Sequence, residues 1–256
     1  MTVSRGRIRV ARALAGVAAV WWGFLWFGLI DLLVVVIQDE RFYQHYLLES
    51  GWGLLYLVLV TVPLLWLLVR PTAGLPVVQV LAVACSVAGA AGLAGYPRQL
   101  WVALALALTA AAVGWSAGVR PRAVDWRPDL PLAGLTVLAA PASLVYAWSL
   151  GHGWLGHPTT DITNGIDHRP MQAALGLAVP LVAALAAVAV GARLAAWRVP
   201  VWTVAVTVLW LGVESVVYPD HEGSLGTTLG IAAAVWGVAF AGTAEVRARG
   251  RRTARE

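Results

Sequence analysis

The chain has 256 residues, 60% of them hydrophobic and only 12% charged, with a mean hydropathy of +0.76. A water-soluble domain carries roughly 25% charged residues, so this composition excludes a soluble globular protein and makes the bilayer the solvent for most of the surface. The net charge of +5 comes from 18 basic residues, all of them arginine; they stand in short clusters between apolar runs, which excludes a nucleic-acid-binding face.

Crossing roughly 30 Å of hydrocarbon takes about 20 apolar residues, and eight stretches qualify: 11–37, 50–69, 76–95, 99–119, 131–150, 172–192, 199–217 and 225–244. The N-terminal "MTVSRGRIRVARALAG" starts like a signal peptide, but the apolar run behind it is far longer than the roughly 7–15 residues of a cleaved signal. It is expected to be a retained anchor, long enough to tilt. This first span carries Asp31 in "FGLIDLLVVV", about two turns before its end. Glu49 and Ser50 are expected to cap the second span, and Pro63 to kink it.

Cys85, the only cysteine, falls in the third run and reads as a small packing residue. In the same run Gly89, Gly92 and Gly95 are expected to allow close helix contacts, and "YPRQ" turns the chain into the fourth span. The fifth contains Pro141 and ends in "GHGWLGH", with His152 and His157. Next comes "TTDITNGIDHRPMQ", residues 159–172, which holds Asp161, Asp167, His168 and the chain's only asparagine. Asp167 is expected to cap the sixth helix, Pro170 to sit in its first turn, and Pro180 to kink it. The seventh span carries Glu214 about one turn from its end, followed by the turn "YPDHEGS" with Asp220 and His221. Ser224 is placed to cap the eighth, in which Gly226 and Gly230 again suggest close packing, and residues 245–256 form a basic tail. Most of the 14 tryptophans, Trp22 and Trp52 among them, read as interfacial belts.

Arginine sets the expected orientation. With the N-terminus in the cytoplasm, fifteen arginines fall inside and only Arg41, Arg98 and Arg169 outside, as the positive-inside rule requires. The expected fold is therefore an all-α bundle of about eight transmembrane helices forming one domain, with both termini cytoplasmic. Abundant Ala, Gly, Val and Arg, with no Lys, suggest a high-GC bacterial genome, and hence the bacterial plasma (inner) membrane.

All five histidines then lie on the outer side, together with most of the acids. Capping and turn formation account for about half of these residues. What they leave is a set of imidazoles and carboxylates at three successive outer ends: His152, His157, His168, His221 and Asp220, a donor set suited to a divalent metal at the outer face. Asp31 and Glu214 are more specific, because an acid within a span faces a cavity or a partner. With Asp161 and Asp167 they are the candidates for ligand binding or proton relay. No Walker, Rossmann or zincin spacing is present, and no histidine follows Ser224 to activate it, so no catalytic residue is assigned. The leading expectation is an outward-facing polar pocket that binds or transports a cation, a proton or a small polar solute. The alternatives are a structural or assembly partner of another membrane complex, and a membrane-embedded enzyme with an extracytoplasmic His/Asp site. The lipid bilayer is the expected partner; a second membrane protein or another copy of the chain are further partners to test.

Overall fold

Apolar side chains alone leave the backbone's own polar groups to be satisfied within the bilayer, and a helix does this locally. The computed structural model describes residues 4–38, 40–119, 127–154 and 168–253, and every regular element among them is helical. Eight helical stretches are long and apolar enough to cross a membrane, which makes this a multi-pass membrane protein. The first comprises α1 (Arg5–Val20), a π-helical turn (Trp21–Leu25) and α2 (Gly28–Ile37). A short 3₁₀ stretch (Glu40–His45) leads into the second, made of α3 (Tyr46–Gly53), a π-helical stretch (Leu54–Thr61) and α4 (Val62–Val69). The others are single helices: α5 (Gly74–Leu93), α6 (Gln99–Ser116), α7 (Leu130–Trp154), α8 (His168–Gly191), α9 (Arg198–Val217) and α10 (Gly226–Thr253).

The second span and α8 are the most enclosed, and α5, α7, α9 and the first span pack around them. Four differences from the sequence reading matter. The first span is not one tilted helix: it breaks at Trp26–Phe27, where Phe27 adopts a left-handed conformation (φ 62°). The second begins well before residue 50, because Tyr46, Leu47 and Leu48 are themselves buried against the bundle. Cys85 lies on an exposed face of α5. Trp22 and Trp52 leave the belt for the interior, where Trp22 stacks on Tyr56 (5.6 Å, 8°) and Trp52 on Trp26 (5.9 Å, 26°).

Helix crossings depend on glycine largely at other places than the sequence suggests. A side chain at Gly230 would come within 2.8 Å of the Gly212 carbonyl, and one at Gly212 within 2.6 Å of the Ala234 nitrogen, so α9 and α10 touch backbone to backbone. Gly92 and Gly226, in contrast, have open space beside them.

The prolines explain two otherwise isolated polar contacts. Proline has no N–H, so it frees the carbonyl four residues earlier. Pro63 frees Leu59 O, which accepts from Gln79 Nε2 of α5 at 3.0 Å. Pro180 frees Gly176 O, which accepts from Ser143 Oγ of α7 at 2.7 Å. Neighbouring helices thus supply donors where water cannot.

Candidate functional site

Three buried ionisable side chains meet at the α3 level of the bundle. Asp31 stands in the first turn of α2, six residues or about 9 Å along the axis from its end. Its position follows from the break: α2 restarts at Gly28, and the Asp31 amide closes the first turn on Phe27 O at 2.9 Å. An acid in a first helical turn sits at the positive end of the helix dipole. Glu49 projects from α3 and His168 opens α8. All three are at least nine-tenths buried (Asp31 7%, Glu49 4%, His168 8% exposed). One potential ligand atom from each lies within 4.8 Å of the others, and His168 Nε2 is 3.4 Å from Glu49 Oε2. Glu49 Oε1 has no hydrogen-bond partner among the described residues.

The frame around this cluster is closely packed. Trp52 lies against the His168 ring at 5.0 Å. Its indole N–H donates to Trp26 O at 2.8 Å, one of the carbonyls left over by the break in the first span. α2 and α3 approach so closely that a side chain at Gly53 would meet Leu32 N at 2.6 Å and Gly28 O at 2.8 Å. Both π-helical stretches, Trp21–Leu25 and Leu54–Thr61, border the same region, and such local widening is frequent at functional sites.

A second polar group occupies the next face of α3. Trp210 Nε1 donates to Glu214 Oε1 at 2.6 Å and to Ser50 Oγ at 3.0 Å. Glu214 Oε2 is buried with no hydrogen-bond partner among the described residues, and Glu214 lines a cleft of about 190 Å³ with Val35, Trp210, Val213, Val217 and Tyr218. Pockets for solutes of drug size run to about 300–1,000 Å³, so this cleft is small. On the third face, Gly51 leaves room for the Gln172 amide, which donates to Tyr146 Oη at 2.6 Å; that hydroxyl donates in turn to Gly223 O at 2.6 Å.

The sequence candidates therefore separate. Asp31 and His168 come together, and Glu214 lies on another face of α3. His221 packs among Tyr43 (4.6 Å) and Tyr218 (4.9 Å) in the turn between α9 and α10, and burial lowers its pKa below the ordinary 6.5. His152 is exposed and stacks on Trp148 (5.1 Å, 10°), and Asp220 is exposed. His157, Asp161 and Asp167 lie outside the described residues. Among the described residues, the only group of three or more His, Cys, Asp or Glu side chains within metal-holding reach is Asp31, Glu49 and His168.

Glu49 is the residue that sequence reasoning missed. Read as a cap, it and Ser50 prove to be buried helical positions, because α3 starts at Tyr46. The apolar run "YLL" just before Glu49 was the available signal. Ser224, also expected to cap, lies two residues before α10, where its Oγ accepts from Gly226 N at 3.0 Å and holds the turn into the helix.

No family model, curated protein or solved structure matches the chain.

Proposed function

We propose that this is a cation-binding and cation-translocating membrane protein, the proton included, whose binding site opens toward the histidine-bearing end of the bundle. The observation that carries the reading is the meeting of Asp31, Glu49 and His168, three buried ionisable groups from three different spans. Carboxylates within a membrane are costly unless a cation, a proton or a cavity compensates them. Among the described residues no arginine lies within ion-pair distance of Asp31 or Glu49. Arg169, next to His168, pairs with Glu222 instead. His168 is the one basic side chain of the cluster, and one imidazole cannot balance two carboxylates, so a bound cation would supply the remaining charge.

The break in the first span supports movement as well as binding. Interrupted helices beside a buried polar site give the backbone a place to flex and supply dipole ends for charge. The arginine distribution supports an outward-facing site, with the fifteen-arginine face in the cytoplasm, and the arginine-only basic composition supports a bacterial plasma membrane.

The test is flux. The protein reconstituted into vesicles carrying a trapped pH-sensitive or cation-sensitive dye should pass cations down an imposed gradient, and Asp31→Asn and Glu49→Gln should each abolish the flux while leaving the protein folded. Equal leak from protein-containing and empty vesicles, for protons, sodium and divalent ions alike, would refute translocation.

A further inference from the structure

We infer that the cation held by Asp31, Glu49 and His168 is a divalent first-row transition-metal ion of the zinc, manganese or ferrous class. The inference rests on the cation-site reading above and names its ligand.

The donor set comes first. One imidazole nitrogen and two carboxylate oxygens form a mixed N/O site, which suits zinc, iron or manganese. Calcium takes six to eight oxygen ligands, more than these three side chains offer. Cuprous ion prefers thiolate and thioether, and the chain's one cysteine faces outward from α5.

Geometry comes second. Zinc bonds to imidazole nitrogen and carboxylate oxygen at about 2.0–2.2 Å, and the edge of a tetrahedron with such arms is about 3.4 Å. His168 Nε2 and Glu49 Oε2 are 3.4 Å apart. That is long for a hydrogen bond, which prefers roughly 2.7–3.2 Å, and right for two ligands sharing a metal. The third donor, from Asp31, lies within 4.8 Å of both, so a modest side-chain adjustment completes three corners of the tetrahedron.

Charge comes third. Two ionised carboxylates carry −2, and a divalent ion with a neutral imidazole brings the group to zero, the cheapest state for a buried site. Glu49 Oε1 is buried with no hydrogen-bond partner among the described residues, so an acceptor is left for a ligand. Finally, the ligands come from spans one, two and six, so a metal would tie the sixth span to the first two, from which it is distant in sequence.

The experiment is a titration of the full chain in detergent, stripped with chelator and then given zinc chloride, with manganese chloride as a second probe. Binding is read by calorimetry and by the rise in Tm. The expected result is a single zinc per chain and a zinc-dependent rise in Tm. Asp31→Asn, Glu49→Gln and His168→Gln should each weaken binding by more than about 100-fold, while His221→Gln binds as the original does. Failure of the folded original protein to bind either ion at millimolar concentration overturns the inference, and needs no variant to fold. Undiminished binding in all three variants overturns it equally, since it would report surface histidines. The flux assay keeps the two readings apart. Asp31-dependent proton or sodium flux without divalent binding refutes the metal alone, and metal binding without any flux refutes translocation alone.

Discussion

The closeness of α2 and α3 is what holds Asp31 beside Glu49, and it can be attacked without touching either residue. In Gly53→Ala the new methyl would lie 2.6 Å from Leu32 N and from Leu32 Cβ, and 2.8 Å from Gly28 O. These atoms belong to the α2 backbone and its immediate base, so no rotamer relieves the clash. Ordinary contact begins near 3.4 Å, so α2 must retreat by about 0.8 Å. Leu32 adjoins Asp31, so the third ligand retreats with it. Displacing the support of a metal ligand costs about 10–100-fold in affinity, or about 1.4–2.7 kcal/mol, and overpacking costs a further ~1–3 kcal/mol of stability. Gly92→Ala on α5 is the control. Its methyl would meet nothing within 4 Å. Gly92→Ala should keep zinc affinity within about threefold, because no packed atom has to move. Both variants are measured by competition with a chromophoric zinc chelator, after circular dichroism has established equal helicity. Gly53→Ala binding zinc as tightly as the original protein would refute the claim that the α2–α3 contact positions the site.

Ser143→Ala should lower stability by about 1–2 kcal/mol, because it strands the Gly176 carbonyl freed by Pro180; in Pro180→Ala, where the N–H is restored, the same change should cost much less. A double-mutant cycle measured by unfolding in detergent checks this, and additive effects would refute it. Trp52→Phe keeps the ring packing on Trp26 and His168 but removes the donor to Trp26 O, so Tm should fall by the equivalent of ~1–3 kcal/mol, and an unchanged Tm would show that the break in the first span is satisfied otherwise. His221 should titrate below 6.5 by imidazole NMR. Since the unfolded chain binds that proton more readily, its contribution to stability is fully present above about pH 6.5 and is lost as pH falls through the folded value, so Tm should drop between pH 7 and 5 less steeply in His221→Gln than in the original protein.

Hydropathy alone located the eight spans, because a run of twenty apolar residues has few other uses. It could not show how the first of them breaks. The stretch "WWGFLWFG" contains no proline, and its apolar character is unchanged across Trp26–Phe27. The break is made by tertiary contact: Trp52 of the next span supplies a hydrogen bond that the helix gives up. Asp31 and Glu214 were visible as lone acids in apolar runs, since one charge in such a run stands out whatever the fold. Glu49 was not, because "ESGWG" reads equally well as the end of a loop, and only the burial of Tyr46, Leu47 and Leu48 puts it inside. The grouping of His168 with Asp31 had no sequence signature at all, as 137 residues separate them. Of the described histidines His168 is the one that meets two buried carboxylates, whereas His152 stacks on Trp148 and His221 packs against Tyr43.

The turn Glu49–Ser50–Gly51 shows why the polar interior is concentrated on one helix. Successive helical residues point about 100° apart, so three in a row address three neighbours. Glu49 faces the Asp31–His168 group, Ser50 reaches Trp210 of α9, and Gly51 admits Gln172 of α8. A polar residue inside the bilayer is tolerable only where a partner waits for it, and an enclosed helix is the one that has partners on every side. The second span is therefore where this sequence can place polar side chains on successive faces, whereas α7, which shows most of its surface to the surroundings, places Ser143 and Tyr146 against α8. Two of the three contacts on that turn close among protein atoms around Trp210 and Tyr146. The third leaves two carboxylates and an imidazole facing one another with no counter-charge among the described residues, and that asymmetry is what distinguishes a site for a ligand from a structural polar contact.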